Sequence, residues 1–203
     1  VHRLVGSEMC IRDSDCIVKV HGALKTLAAS IYKISNDIRL MGSGPRSGIY
    51  ELIIPQNEPG SSIMPGKVNP TQCEALSMVC TQVMGFEYAV SIANASGTLQ
   101  MNEYKPLIGF NILTSIKLLN NAINNFRLKL VEGIQPNPKT IKINLENSLM
   151  LVTSLVPRIG YEKAAEIANL AFNESIKLRE ATLKLGYLSA NEFDEAIKTN
   201  QMI

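Results

Sequence analysis

Apolar residues recur with a helical period along most of this chain. Between about Asp15 and Met41, Leu24, Leu27, Ala28, Ile31, Ile34 and Ile38 fall three or four residues apart. That spacing predicts a helix closed by Gly42, with Lys33 and Arg39 near its negative pole. A second helix is expected to begin at Pro70, where Leu76, Val79, Cys80, Val83 and Met84 share one face. From about Pro106 to Leu130, Ile112, Leu119 and Phe126 form one heptad series and Ile116, Ile123 and Leu130 another. Such an a/d seam predicts a helix, roughly 37 Å long at 1.5 Å per residue, packed nearly parallel to long neighbours. Only two other helices of that length are predicted, so further partners are expected from other sequence or other subunits.

Turn formers divide these segments. Gly44-Pro45, Asn57 and Pro59-Gly60 rule out a long helix between residues 42 and 69, and so long a loop inside a compact domain is often functional. Gly133 to Pro138 stops the third helix. Beyond it come shorter helical units: one after Gly160, one ending at Gly186, and one opening on Ser189 and Glu192 in capping-box spacing. No alternating strand pattern and no internal repeat is present, so the chain reads as mostly helical.

Composition narrows the function classes. The 203 residues are 46% hydrophobic and 19% charged, with no tryptophan, which predicts a core of Leu, Ile, Val, Met and Ala. A net charge of +2, with basic residues scattered among acids, argues against nucleic acid or an anionic membrane as partner. No stretch is read as approaching the apolar length that crosses a bilayer. Cys10, Cys16, Cys73 and Cys80 show no metal-type spacing, and reduced thiols in the cytosol or an organelle matrix are expected.

The candidate chemistry sits in Gly60-Ser61-Ser62-Ile63-Met64-Pro65-Gly66-Lys67-Val68-Asn69-Pro70. Asn69, Pro70 and Gln72 predict an N-cap, a proline at the first helical position and a capping-box partner. The loop would then feed the positive end of a long helix, where an anion is held well. Gly60 and Gly66 allow close backbone approach, Lys67 adds a full charge, and Ser61 and Ser62 add hydroxyls. Such parts describe a carboxylate-binding loop with a base attached. A Gly/Ser-rich loop carrying one solvated lysine is the plain alternative.

The string itself is similar to the signature of the fumarase/aspartase superfamily. Asn57-Glu58-Pro59 before it and Thr71-Gln72-Cys73-Glu74-Ala75 after it resemble class II fumarate hydratase. So do Gly42-Ser43-Gly44-Pro45-Arg46, residues 147–153, Ile159-Gly160-Tyr161 and Leu178-Arg179-Glu180-Ala181. The resemblance runs from about Asp15 to the C-terminus. It implies an all-α fold: part of the long-helix bundle of the superfamily (15–138, with the signature loop at 57–74) plus a small helical C-terminal domain (139–203). Residues 1–14 fall outside the resemblance and are read as adapter or cloning sequence.

By resemblance, the activity is reversible hydration of fumarate to L-malate. Ser61 would be the base that takes the carbon-bound proton. Ser62, Lys67, Val68 (through its backbone) and Asn69 would hold the substrate carboxylates. Glu74 would orient a histidine of another subunit as general acid. The resemblance implies no metal or organic cofactor, a small dicarboxylate substrate, and a homotetramer whose active sites are shared between subunits. The family's Thr-His segment is not in these residues, so the chain by itself is expected to be inactive. Arg46 is read as holding its Gly-Pro turn, Cys73 and Cys80 as helix packing, and His21 as a surface or packing residue. Aspartate ammonia-lyase shares the loop core, although Thr71 to Glu74 argues against it. A non-catalytic helical assembly module fits the a/d seam equally well, but has no use for Ser61, Lys67, Asn69 and Glu74.

Overall fold

The computed structural model describes residues 14–59, 64 and 66–197. It divides the chain into two compact units, Val1–Asn137 and Pro138–Ile203.

The first unit is built on three long helices, α1 (Asp15–Met41), α2 (Thr71–Ala95) and α3 (Lys105–Lys129). Contacts along their lengths show that α1 and α2 run antiparallel. Ser14 at the start of α1 donates its N–H to Asn94 Oδ1 near the end of α2 (2.9 Å). Lys25 and Glu87 pair midway (2.8 Å), and Ser35 Oγ donates to the Cys73 carbonyl in the first turn of α2 (2.9 Å). Asn102, buried, pins the corner to α3: its Nδ2 donates to the Ala93 carbonyl (3.0 Å), while its Oδ1 accepts from the Tyr104 N–H (2.9 Å). The core gathers Ala28 from α1, Cys73, Leu76, Cys80 and Val83 from α2, and Leu119, Phe126 and Leu130 from α3 and its end.

Two expectations change here. The α3 seam holds at Leu119, Phe126 and Leu130, but Ile116 points outward and is 46% exposed. One turn away the buried positions are instead Asn111 and Ser115, and Ser115 faces His21 of α1 rather than an aliphatic side chain. On α1 the fully buried residues are His21, Ala28 and Ser35, spaced by sevens. Small and polar residues there let the helices approach closely and bond across the seam. As a result Phe110, Leu113 and Ile116 form an outward apolar stripe on α3. The second change concerns α2, which is long and apolar enough to cross a bilayer by length and composition. It nonetheless packs between α1 and α3 and carries Glu74 and Glu87.

Between α1 and α2 the backbone turns at Gly42 to Tyr50. Gly42 occupies the end of α1 with right-handed dihedrals (φ −84°), so its glycine serves a close approach by Ile54 rather than a left-handed cap. Two residues, Leu52–Ile53 (β1), then pair antiparallel with Gln135–Pro136 (β2), which follows the short 3-10 turn Val131–Gly133. Asn137 reinforces the clamp: its N–H donates to the Glu51 carbonyl (2.8 Å) and its Nδ2 to the Tyr50 carbonyl (3.1 Å). The loop wall beside the functional string is thereby tied to the end of α3.

The second unit contains α4 (Pro138–Asn147), a 3-10 segment (Leu149–Leu155), α5 (Val156–Ile159), α6 (Tyr161–Glu174), α7 (Leu178–Leu185) and α8 (Ala190–Ala196). Leu151, Leu155, Ile167, Ala171, Leu178, Ala181 and Phe193 form its core. Gly186 ends α7 in the left-handed region, and Ser189 with Glu192 closes both halves of the capping box at the start of α8. Helix α4 and the 3-10 segment had no clear periodic signal in the sequence.

Candidate functional site

Ser61 and Ser62, expected as base and carboxylate ligand, lie outside the described residues. The described part of the string converges on the N-terminus of α2. That helix begins at Thr71, one residue later than expected, with Pro70 rather than Asn69 in the capping position. Proline has no side-chain acceptor, so the first turn is closed by the Glu74 N–H donating to the Pro70 carbonyl (3.1 Å). Gly66 takes a left-handed φ of +82°, and the N–H of Lys67 donates back to the Met64 carbonyl (3.3 Å). This turn presents Lys67 and Val68 outward, both exposed, while Asn69 is half-buried against the helix start.

These residues form one wall of a hollow of about 340 Å³. Gly66, Lys67, Val68 and Pro70 stand on one side; Arg39 at the end of α1, the turn Gly42 to Pro45, and Tyr50 stand on the other. The opposite wall depends on a close approach: a Cβ on Gly44 would lie 2.7 Å from the Tyr50 ring. Ser43 holds the turn by accepting the Ile49 N–H (3.2 Å) and donating to the Leu40 carbonyl. Arg46, expected to do this, is exposed and makes no hydrogen bond or ion pair among the described residues. The Ser43 hydroxyl closes the turn in its place.

The electrostatics favour an anion. The hollow is lined by two cations, Arg39 and Lys67, and lies where the positive end of α2 meets the negative end of α1, whose charge Arg39 offsets. Glu74 sits in the first turn of α2, with its Oε1 3.7 Å from Nη2 of Arg39. Sequence reasoning assigned Arg39 only to the helix pole. Its proximity to Glu74 depends on the pairing of two helices, which no local pattern announces. Next to Glu74, Cys73 is buried, and burial pushes its thiol up despite the opposing Ser35 hydrogen bond. Cys80, one heptad on, is also buried and raised by desolvation, in keeping with packing. Among the described residues no group of three or more His, Cys, Asp or Glu converges to hold a metal.

A larger hollow, about 530 Å³, lies within the second unit. Its carboxylates are engaged locally, Glu146 with Lys177 (2.8 Å) and Asp194 with Arg179 (2.9 and 3.0 Å). None of the expected site residues lines it. Size alone therefore does not locate the chemistry.

Residues 6–85 match a family model described as Lyase, and residues 151–203 match one described as Fumarase C C-terminus. The chain belongs to the class II fumarate hydratase family. It is 84% identical over 189 residues to the fumarate hydratase class II of Prochlorococcus marinus subsp. pastoris, covering 93% of this chain and 41% of that relative. The corresponding protein of Wigglesworthia glossinidia brevipalpis is 58% identical over the same shares. The crystal structure of a recombinant class II fumarase from Schistosoma mansoni superposes with a TM-score of 0.89 at 42% identity, covering 94% of this chain and 40% of that one. The chain thus spans about two fifths of the length of the relatives it matches. The lyase match begins inside the leader that the sequence reading set apart.

Proposed function

We propose that the complete protein bearing this chain catalyses the reversible hydration of fumarate to L-malate. The observation that carries this reading is the anion loop at the start of α2, embedded in sequence 84% identical to a fumarate hydratase class II. In the malate direction, a base removes a proton from the carbon beside a carboxylate, and charge builds on that carboxylate. The neighbouring C–O bond then breaks and the hydroxyl leaves as water, with a proton from an acid. The barrier lies in the added negative charge, and one preorganised donor aimed at it is worth roughly 3–4 kcal/mol.

In this reading Ser61 is the base. Ser62, Lys67, the Val68 backbone and Asn69 hold the carboxylates. Lys67 and the positive end of α2 offset the growing charge, and Glu74 orients the acid supplied by another subunit. Residues 15–138 contribute the loop and part of the bundle, and 139–203 form the small second domain. The outward stripe Phe110, Leu113 and Ile116 supports packing against further copies in a homotetramer. The same packing explains an apolar α2 without invoking a membrane. Bacterial relatives support a cytoplasmic location, or the mitochondrial matrix in a eukaryote.

The test is to express the complete protein and follow fumarate by its ultraviolet absorbance, with malate and then aspartate as substrate. Turnover of malate, abolished by Ser61→Ala in an intact tetramer, is the expected result. Turnover of aspartate alone would make the protein an ammonia-lyase, and turnover surviving Ser61→Ala would remove the serine from its role.

A further inference from the structure

Arg39 and Glu74 are brought together by a buried bond that involves neither of them. Ser35 and the Cys73 backbone meet at 2.9 Å in a region closed to solvent. Arg39 lies one turn beyond Ser35 on α1, on the same face, and Glu74 follows Cys73 directly on α2. Once Ser35 bonds to Cys73 the register of the two helices is set, and the guanidinium has to stand beside the carboxylate. Each charge also sits at the helix end that favours it, Arg39 at the negative end of α1 and Glu74 at the positive end of α2.

The pair is loose in this chain. At 3.7 Å it makes no hydrogen bond, and the two side chains are 52% and 43% exposed. An exposed pair of this kind adds little stability. Its consequence is directional: a half-exposed glutamate would otherwise sample several rotamers, and a guanidinium on one side favours those that face it.

We propose that Arg39 is a positioning residue for Glu74, holding the carboxylate in the orientation that the second-subunit acid requires, with the Ser35–Cys73 bond setting the register. This rests on the functional reading above, in which Glu74 orients that acid. Arg39 lines the hollow beside Lys67, and its effect on turnover runs through Glu74.

A double-mutant cycle in the complete protein tests it, using Arg39→Met, Arg39→Lys and Glu74→Gln with malate as substrate. Arg39→Met is expected to lower kcat about tenfold with KM within about twofold, since orientation of an acid is a transition-state effect. Arg39→Lys should recover part of that loss by keeping the charge. In the Glu74→Gln background, Arg39→Met should cost less than about twofold, because the group it serves is gone. An equal loss in both backgrounds would overturn the proposal, as would a raised KM at unchanged kcat, which would make Arg39 a substrate ligand. Should Arg39→Met lose the tetramer by gel filtration, Arg39→Lys in the two backgrounds carries the same comparison. An unmutated complete protein that turns over neither malate nor fumarate sinks the functional reading instead, so the two failures are distinguishable.

Discussion

Oγ of Ser115 stands 3.0 Å from Nε2 of His21, and both residues are fully buried. This bond joins the middle of α3 to the start of α1. The other ring nitrogen, Nδ1, is buried with no hydrogen-bond partner among the described residues. Among the described residues the Ser115 hydroxyl is therefore the one hydrogen-bond partner that offsets desolvation of the imidazole. Ser115→Ala should lower the unfolding free energy by about 1–3 kcal/mol, the cost of leaving a buried polar group unpaired. Urea unfolding at fixed protein concentration should show a lower midpoint with an unchanged slope. An unchanged midpoint would mean that the ring is satisfied another way.

Glu87 links stability to pH. The hydrogen bond from Lys25, helped by one from Ser91, holds its carboxyl below the usual glutamate range. A depressed folded-state pKa contributes stability above the unfolded value, and that contribution is lost as pH falls through the folded value. Lys25 is half exposed, so screening limits the effect to about 0.5–1 kcal/mol. Glu87→Gln should be less stable than the parent at neutral pH. The difference should shrink as pH drops below about 4.3, the ordinary glutamate value, and should narrow at high salt. A constant difference from neutral to acid would place the contribution in packing.

The three long helices were legible because aliphatic residues repeat cleanly: α1 runs over the expected residues, and the ends of α2 and α3 move by a residue or so. The capping box of Ser189 and Glu192 was legible for the same local reason. The polar half of the seam was not. His21, Ser35, Asn111 and Ser115 look like surface residues in sequence and are buried, three of them through bonds across helices: His21 with Ser115, and Ser35 with the Cys73 carbonyl. The candidate site divides likewise. Lys67, Val68 and Asn69 announce themselves through an unusual string, whereas Arg39, Tyr50 and the turn at Gly44 enter the hollow only through tertiary pairing. A string reports what a loop offers; it does not report which distant residues face it.

Cysteine reactivity separates surface from seam. Cys16 is exposed, while Cys73 and Cys80 are buried with thiols raised by desolvation. Thiolate is the reactive form, so both burial and the upward shift slow attack. In a Cys10→Ser background, a disulfide reagent at mildly alkaline pH should label Cys16 promptly. Cys73 and Cys80 should be labelled only as the helices open, and quickly once denaturant is added. Prompt labelling of Cys73 in the native protein would show that the start of α2 opens readily, and with it the register that places Glu74.

Gly66 tests whether the loop's backbone, apart from its side chains, sets the site. Its φ of +82° is in the left-handed region, yet a Cβ there would meet no atom of the described residues within 4 Å. Gly66→Ala therefore brings strain without collision, about 1–2 kcal/mol for an L-residue held left-handed. The turn relieves such strain by moving, and what moves is Lys67. In the complete protein the expected result is a fall of about tenfold in kcat/KM for malate, equivalent to about 1.4 kcal/mol, with little change in melting temperature. Gly44→Ala should behave oppositely. Its Cβ would lie 2.7 Å from the Tyr50 ring, so the opposite wall must shift and stability should fall along with activity. If Gly66→Ala leaves kcat/KM untouched, the position of Lys67 does not depend on this turn, and its charge acts from wherever the side chain reaches.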